Sequence, residues 1–219
     1  MSESGPNQAA KPRIVLVDHG TGNLTSLERA LDLGGADVVR SSNPDSLNSA
    51  DALVLPGVGA FPAAMSSLRG LGFADAIRQW AADGKPLLGV CLGMQLLFEG
   101  SDEAGGAEGL SLIEGRVRKL DALGERVPHI GWTKVTWVRE HPLRAGISQP
   151  TALYHVHSFV CEPSVPGVVL ATAQHGEVFT TAVASGGTVG VQFHPEKSST
   201  EGLRMVANFV SGVAAKIER

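Results

Sequence analysis

The chain has 219 residues, of which 43% are hydrophobic and 18% charged, so it can bury a substantial core and is not disordered by composition. Its formal net charge of −4 gives no overall basic character, which argues against nucleic acid as a partner. No apolar run approaches the roughly 18 residues that span a bilayer. Residues 1–12 lack the hydrophobic segment of a signal peptide. The two cysteines, Cys91 and Cys161, form no disulfide framework, which favours a reducing, cytoplasmic setting.

The first hundred residues alternate between strand-like and helical patterns. Short apolar runs that are typical of buried strands occupy residues 13–18, 36–40, 51–57 and 85–91. Helical spacing of apolar residues occupies residues 23–35, 61–70, 73–83 and 93–100, with Asn23 as the expected N-cap of the first helix. This alternation predicts an α/β protein with a largely parallel sheet.

The second half has a different pattern. Between residues 116 and 194 it consists of short runs rich in β-branched and aromatic residues, and Gly186-Gly187 between two of them is a hairpin-turn signal. Residues 199–218 then form an amphipathic helix, with Leu203, Val206 and Phe209 on its apolar face. We therefore predict a central, mostly parallel sheet flanked by helices, with antiparallel strands added in the second half. Residues 1–11 are expected to be a flexible tail and residues 12–219 a single domain.

A thiol lies between two glycines in the stretch Gly89-Val90-Cys91-Leu92-Gly93, between a predicted strand and a predicted helix. Gly-x-Cys-x-Gly has the form of a nucleophile elbow with sulfur in place of oxygen, in which small flanking residues permit a sharp turn. Such a turn would place Cys91 at a helix N-terminus, where the dipole favours thiolate, and would aim the Leu92 amide at a developing oxyanion. An ordinary buried cysteine between turn glycines remains the alternative.

A nucleophile needs a base, and the stretch "GVQFHPEKS" at residues 190–198 offers one. His194 follows an apolar strand, and Pro195 forces it away from helical geometry. In an extended segment His194 and Glu196 would project to the same side, so that Glu196 could hold the imidazole and stabilise its cation. The alternative is a histidine packed at the end of a strand.

The remaining candidates carry weaker signals. His155 and His157 form His-x-His on a predicted strand, but no third ligand is evident, so we predict neither a metal site nor a cofactor. For His19, His129, His141 and His175 packing or solvation is the simpler interpretation, and Cys161 is interpreted as a core residue.

A glycine-rich loop, "LPGVGAF" at residues 55–61, follows the third strand. It lacks the Gly-x-x-x-x-Gly-Lys-[Ser/Thr] pattern of a phosphate-binding loop. A plain turn is one interpretation. The functional one is a second oxyanion donor, because glycines let a backbone amide approach or rotate toward a reacting centre.

Six ordered motifs spread over nearly the whole chain from residue 13 resemble those of the class I (triad) glutamine amidotransferases. They are "VDHGTGNLTS", "LPGVGAF", "GVCLGMQLLFE", "VPHIGW", "YHVHSF" and "GVQFHPEKS". "CLGMQ" with "HPE" marks the superfamily. "PGVGAF", "PHIGW" and the early Gly-x-Gly-Asn are more similar to the glutaminase subunit of imidazole glycerol phosphate synthase, and this resemblance implies the flavodoxin-like amidotransferase fold.

The resemblance also implies roles for single residues. Cys91 would attack the side-chain amide of glutamine, His194 would transfer protons and Glu196 would orient His194. The oxyanion hole would consist of the Leu92 amide and an amide of the loop Gly57-Val58-Gly59. Gln95, Ser158 and Phe159 correspond to positions that hold the glutamine substrate. Asn23 and Lys197 correspond to positions near the interface with the synthase.

By the same resemblance the ammonia passes to a (β/α)₈ cyclase partner, which makes imidazole glycerol phosphate and an aminoimidazole carboxamide ribotide in histidine biosynthesis. Because such a barrel takes about 250 residues, we expect the partner to be a separate chain that forms a heterodimer with this one. Three positions depart from the usual family pattern: His19 and Phe159 stand where Tyr is frequent, and Thr133 stands where Asn is commoner.

Three alternatives remain open. The first is a glutaminase subunit of another synthase, such as anthranilate, aminodeoxychorismate or pyridoxal phosphate synthase, against which "PGVGAF" and "CLGMQ" speak. The second is a stand-alone Cys-His hydrolase acting on peptides, which the Glu after His-Pro makes weaker. A binding module without activity is the weakest, because all three triad positions carry competent side chains.

Overall fold

The computed structural model describes residues 11–20 and 24–217, so the expected N-cap at Asn23 and nearly all of the expected tail lie outside the described residues. The first half contains short strands and helices in rough alternation, close to the predicted pattern. The strands are β1 (Arg13–Val17), β2 (Asp37–Ser41), β3 (Ala52–Leu55), β4 (Leu87–Val90), β5 (Phe98–Ser101) and β6 (Ala107–Glu108). The helices are α1 (Leu24–Leu33), α2 (Phe61–Gly70), α3 (Phe73–Ala82) and α4 (Leu92–Leu96).

The second half is mostly strand and ends in one long helix. Its strands are β7 (Ile113–Lys119), β8 (His129–Trp137), β9 (Thr151–His157), β10 (Phe159–Pro163), β11 (Val169–His175), β12 (Glu177–Ser185) and β13 (Thr188–Val191). Helix α5 (Ser199–Ile217) follows as predicted. Leu203, placed on its apolar face from the sequence, is in fact exposed, and Met205 packs into the core in its place.

Parallel pairing joins β2, β1, β3, β4 and β13 in that order, and antiparallel strands β12 and β10 extend the sheet beyond β13. Strand β11 pairs with β12 and β8, and β8 pairs with β9. All residues of β3 and β4 are buried, as expected of parallel strands covered on both faces. One core cluster includes apolar residues of α1 and α5, and the other those of α2 and α3. The predicted fold class is confirmed.

One predicted element is wrong. The sequence predicted helix over residues 93–100, but helix α4 ends at Leu96 and residues 98–101 form strand β5. Phe98 is fully buried and pairs with Ile113 of β7 in parallel register. This pairing partner lies fifteen positions along the chain, so the local apolar run, which suits a helix equally well, could not reveal it. None of the described helices is both long and apolar enough to cross a bilayer.

Candidate active site

The carboxyl ends of β1, β3, β4 and β13 meet at one edge of the parallel sheet, which is where open α/β sheets bind ligands. The first two strands lead to His19 and to the loop 57–59, and the last two lead to Cys91 and His194. Segments that are far apart in sequence are therefore brought together because their strands are neighbours in the sheet.

Cys91 has the backbone conformation of a strained elbow, with φ 54° and ψ −111°. Such a conformation costs on the order of 1–3 kcal/mol for a residue with a side chain, so the surroundings must impose it. They do so by close packing: a Cβ added at Gly93 would lie 1.8 Å from the carbonyl oxygen of Leu55, and one at Gly89 would lie 2.8 Å from the carbonyl oxygen of Gly93. Both glycines are required on steric grounds, as the sequence indicated.

Besides His194, two groups of the described residues contact the Cys91 sulfur. It lies 3.8 Å from the carbonyl oxygen of Val156, and Nε2 of Gln192 donates to it at 3.7 Å. Helix α4, which begins at Leu92, has only five residues. The expected stabilisation of a thiolate by the helix dipole is therefore weak here, because the macrodipole needs several aligned turns.

His194 and Glu196 form a buried pair, with His194 Nδ1 2.9 Å from Oε1 of Glu196 and the two side chains only 4% and 5% exposed. The segment does not stay extended, since Pro195–Lys197 forms a 3-10 turn. The turn still brings the two side chains together across two residues. Ser198 secures it by donating its hydroxyl to the carbonyl of His194 at 2.6 Å.

Opposing influences act on the imidazole of His194. Burial lowers its pKa, whereas the Cys91 thiol and the Glu196 carboxylate raise it, and the net result is a pKa of about 9. Nε2 is buried and makes no hydrogen bond to a described residue, although Cys91 is near enough to act on the ring. A looser contact of this kind between nucleophile and base is common before substrate binds.

A cavity of about 300 Å³ opens beside Cys91. All three predicted substrate-holding residues, Gln95, Ser158 and Phe159, line it. Its other lining residues include Val58, Gly59, Leu92, Glu103, Pro128, Val156 and His157. His194 instead borders a smaller cavity of about 20 Å³, which also touches Gly57, Val58, Glu196 and Lys197.

The loop 57–59 packs directly against the elbow, since a Cβ added at Gly57 would lie 2.9 Å from Cβ of Leu92. Neither the Leu92 amide nor the amides of this loop donate a backbone hydrogen bond to another described residue, so these donors are available to a ligand. Buried His19 donates from Nε2 to the carbonyl oxygen of Pro56 at 3.0 Å and so supports the start of the loop.

Three further histidines form a buried cluster next to the cavity, which the sequence did not reveal. His129 on β8 pairs directly with His157 on β9, and their Nδ1 and Nε2 atoms are 3.1 Å apart. His155 lies on the same face of β9, with Nε2 2.7 Å from the Thr181 hydroxyl. Burial lowers the pKa of His129 to about 4 and that of His155 to about 3, and it holds the pKa of His157 well below its usual value.

Within residues 11–20 and 24–217, no group of three or more His, Cys, Asp or Glu side chains is arranged to hold a metal ion. Cys161 is fully buried in the core, and burial raises the pKa of its thiol well above the usual range. Lys197 is exposed beside His194. Asn23 lies outside the described residues.

Two residues at the site were missed from the sequence. Gln192 contacts both Cys91 and Gln95. It lies two residues before His194, and because residues two apart on a strand share a face, this spacing could have revealed it. Glu103 lines the cavity and accepts the Phe61 amide at 2.8 Å. No local pattern marks Glu103, because it reaches the site from the connection after β5.

Comparison with known proteins agrees with this arrangement. Residues 15–213 match the family model described as glutamine amidotransferase class-I. The chain belongs to the class I glutamine amidotransferase family. This amidotransferase is 47% identical over 197 residues to "Imidazole glycerol phosphate synthase subunit HisH" of Symbiobacterium thermophilum, a match that covers 90% of this chain and 92% of that relative.

A second relative of the same printed name, from Moorella thermoacetica, is 45% identical to this amidotransferase over 196 residues, which cover 90% of this chain and 93% of the relative. Among solved structures, that of PurLQS from Thermotoga maritima superposes with a TM-score of 0.71 at 17% identity, covering 96% of this chain and 100% of that chain. At that identity the superposition supports the fold alone. The family predicted from the sequence is confirmed.

Proposed function

We propose that this amidotransferase is the glutaminase subunit of an imidazole glycerol phosphate synthase, which hydrolyses glutamine and supplies ammonia to a cyclase in histidine biosynthesis. The proposal rests on one observation above all. Cys91 lies on a strained elbow beside the cavity of about 300 Å³, and Nδ1 of buried His194 lies 2.9 Å from Oε1 of Glu196. This arrangement occurs in a chain that is 47% identical to an imidazole glycerol phosphate synthase subunit HisH. The other synthases named above have no comparable support among the relatives described.

The proposed chemistry begins when His194 accepts the thiol proton of Cys91 and the sulfur attacks the side-chain amide carbon of glutamine. The carbonyl oxygen takes up the negative charge and accepts hydrogen bonds from the Leu92 amide and an amide of the loop 57–59. His194 then protonates the amide nitrogen, ammonia leaves, and a γ-glutamyl thioester remains on Cys91. His194 next takes a proton from water, which attacks the thioester carbon. The carbon–sulfur bond breaks, glutamate is released, and His194 returns the proton to the Cys91 sulfur.

Glu196 serves this cycle by holding the imidazole of His194 through Nδ1, which keeps Nε2 directed at the reacting atoms. Its carboxylate also stabilises the imidazolium that forms after each proton uptake, and it is one cause of the raised pKa of His194. The buried position of both side chains strengthens this interaction, because the effective dielectric constant is lower than in water.

Glutamine carries a positive and a negative charge besides its amide, and the cavity has groups suited to hold it. Gln95, Ser158 and the backbone of Phe159 are proposed to contact the substrate. Glu103 is the one carboxylate among the cavity-lining residues of the described chain, and we assign it to the α-ammonium group. A volume of about 300 Å³ lies at the lower end of small-ligand sites, as a single amino acid requires.

The cyclase partner is proposed to dock close to this site. Lys197 is exposed beside the small cavity that borders His194 and Val58, and we propose that ammonia leaves the site near this cation. On β8, Ile130 and Trp132 are 61% and 54% exposed, and large exposed apolar side chains are typical of protein interfaces. The neighbouring strand β9 carries Val156 and His157, which line the main cavity.

We further propose a single amidotransferase domain over residues 12–219 and a cytoplasmic location. Support for the domain comes from the family match over residues 15–213. Support for the location comes from two buried free cysteines, which a reducing compartment preserves.

The test measures glutamine hydrolysis by the purified chain, alone and with a cyclase subunit of an imidazole glycerol phosphate synthase plus its nucleotide ligand. We expect weak activity alone, strong stimulation by the liganded cyclase, and co-purification of the two chains. As a comparison, this chain is also mixed with the synthase partners of other glutaminase subunits, and those glutaminases are mixed with the cyclase. Full activity alone with no response to the cyclase would contradict the assignment of the partner.

A further inference from the structure

One buried side chain connects the nucleophile with the substrate cavity. Gln192 is fully buried and follows β13, and its backbone amide donates to the carbonyl of Thr181 at 2.8 Å. Its own carboxamide faces Cys91 on one side and Gln95 on the other. We propose that Gln192 is a positioning residue that sets both the Cys91 sulfur and the carboxamide of Gln95, in the glutaminase cycle proposed above, on which this inference rests.

The direction of each hydrogen bond follows from a single fixed acceptor. The carbonyl oxygen of Phe159 can only accept, and the Gln95 carboxamide lies 3.2 Å from it, so this contact must use Nε2 of Gln95. The same Nε2 lies 3.0 Å from Gln192, which must therefore turn its Oε1 toward Gln95. Nε2 of Gln192 is then left on the side of Cys91, where it donates to the sulfur at 3.7 Å.

The direction of these hydrogen bonds determines which atom of Gln95 is left to contact a ligand in the substrate cavity. Both protons on Nε2 of Gln95 are used, one by Phe159 and one by Gln192. Because Gln95 also lines the cavity, its Oε1 is the polar atom left for a ligand, and an oxygen is the acceptor that an ammonium group requires. Without Gln192, the Gln95 carboxamide would keep only its hydrogen bond to Phe159, so its Oε1 would be held less firmly toward the ammonium group.

The contact with Cys91 acts on the nucleophile itself. A thiolate carries its charge on sulfur, and an N–H that already points at the sulfur stabilises that charge without further reorganisation. The amide of Gln192 is held at its other end by Gln95, so the donor cannot turn away. Gln192 therefore favours the reactive form of Cys91 and directs its sulfur without taking part in proton transfer.

The experiment uses Gln192→Met, which keeps the length of the side chain but removes both the donor and the acceptor. Gln192→Asn is the second variant, since it keeps the carboxamide and shortens its reach. Gln79→Met on the exposed face of α3 is the matched control, because it makes the same chemical change away from the site. Circular dichroism and thermal unfolding establish that each variant is folded.

The first readout is alkylation of Cys91 by iodoacetamide across the pH range, followed by mass spectrometry. It needs no turnover, and buried Cys161 serves as the internal unreactive thiol. We expect Gln192→Met to lower the rate of Cys91 alkylation near neutral pH about tenfold. Gln192→Asn should lower this rate as well, and Gln79→Met should leave it unchanged.

The second readout is the split between kcat and KM for glutamine in the complex with the cyclase. Gln192→Met should lower kcat about tenfold or more and raise KM about tenfold. In a Gln95→Met background, the same change should still lower kcat but should no longer raise KM, because its effect on KM passes through Gln95.

Two outcomes separate this inference from the function on which it rests. Folded Gln192→Met and Gln192→Asn proteins with the wild-type alkylation rate and wild-type KM would overturn the role of Gln192, whatever the reaction. If the wild-type chain hydrolyses no glutamine with any cyclase, the proposed function fails. A lowered alkylation rate in that case would still establish the action of Gln192 on the thiol.

Discussion

His129 and His157 face each other across the β8–β9 pair, with Nδ1 of the first 3.1 Å from Nε2 of the second. Nδ1 of His157 lies 3.0 Å from the carbonyl oxygen of Phe159 and therefore carries a proton. With both rings neutral, Nε2 of His157 accepts from His129, whose Nε2 accepts from the Thr133 hydroxyl at 2.7 Å. A directed chain of hydrogen bonds thus runs from β8 to the cavity wall, and it exists only while both histidines are neutral.

We predict that lowering the pH decreases the free energy of unfolding, because the histidines of this cluster are buried in the neutral form. The pKa values of His129 and His155 are lowered by burial to about 4 and 3, so below the unfolded value of about 6.5 the unfolded chain binds more protons. Stability from this source is fully present above pH 6.5 and is lost as the pH falls toward 4. Urea unfolding at pH 7, 6 and 5 measures it, and His155→Gln should flatten the dependence. An equal slope in the variant would contradict the prediction.

His194 is predicted to respond in the opposite direction. Its pKa is raised to about 9, with the Cys91 thiol and Glu196 acting against burial, so its contribution is fully present below about pH 6.5 and is lost as the pH rises toward 9. Removing the sulfur in Cys91→Ala should lower the pKa of His194 by about one to three units. Nuclear magnetic resonance of the labelled imidazole measures this directly. An unchanged titration would show that Cys91 and His194 do not interact.

Cys91→Ser and His194→Asn should each lower the rate of glutamine hydrolysis by roughly 10³–10⁶-fold, because either change removes an essential member of a cooperating unit. The double variant should be no worse than the single ones. Thermal unfolding checks that the fold is intact. Turnover near the wild-type rate in either single variant would refute the assignment of nucleophile and base.

Glu196→Gln should lower kcat roughly 10²–10⁴-fold and leave KM within about threefold, because the amide no longer holds the imidazole of His194 with a charge. Glu140→Gln is the matched control, since that carboxylate is 84% exposed and pairs with Arg144, which has no role in the proposed mechanism. Steady-state kinetics of both variants with the cyclase present supply the measurement. Equal effects of the two substitutions would remove Glu196 from the mechanism.

Gly93→Ala should destabilise the fold by about 4 kcal/mol or more, because its Cβ would lie 1.8 Å from the carbonyl oxygen of Leu55. Gly70→Ala, at the end of α2 with no atom within 4 Å of the added Cβ, should instead stabilise the fold by roughly 0.4–1 kcal/mol. Denaturant unfolding compares the two variants. A Gly93→Ala protein of wild-type stability would contradict the account of the elbow.

Local patterns in the sequence predicted the elements that depend on local physics. The apolar runs that became β1, β3 and β4 are buried on both faces, and helices α2 and α3 lie within a residue of their predicted bounds. The glycines on either side of Cys91 indicated a tight turn, since only small residues leave room for one. The motifs from residue 13 onward identified the family, which the comparisons confirm.

Contacts between distant segments were decided by the tertiary structure alone. Strand β5 exists because β7 pairs with it, the His129–His157 contact because β8 lies beside β9, and the Gln192 contacts because β13 lies beside β4. The expected alternation of His194 and Glu196 gave way to a 3-10 turn that joins the same two side chains. The sequence by itself determined the turns, the helices and the identity of the reactive groups, because these follow from steric limits and side-chain chemistry. Strand order decided which polar groups share the site, since hydrogen bonds between segments a hundred residues apart leave no periodic trace in the chain.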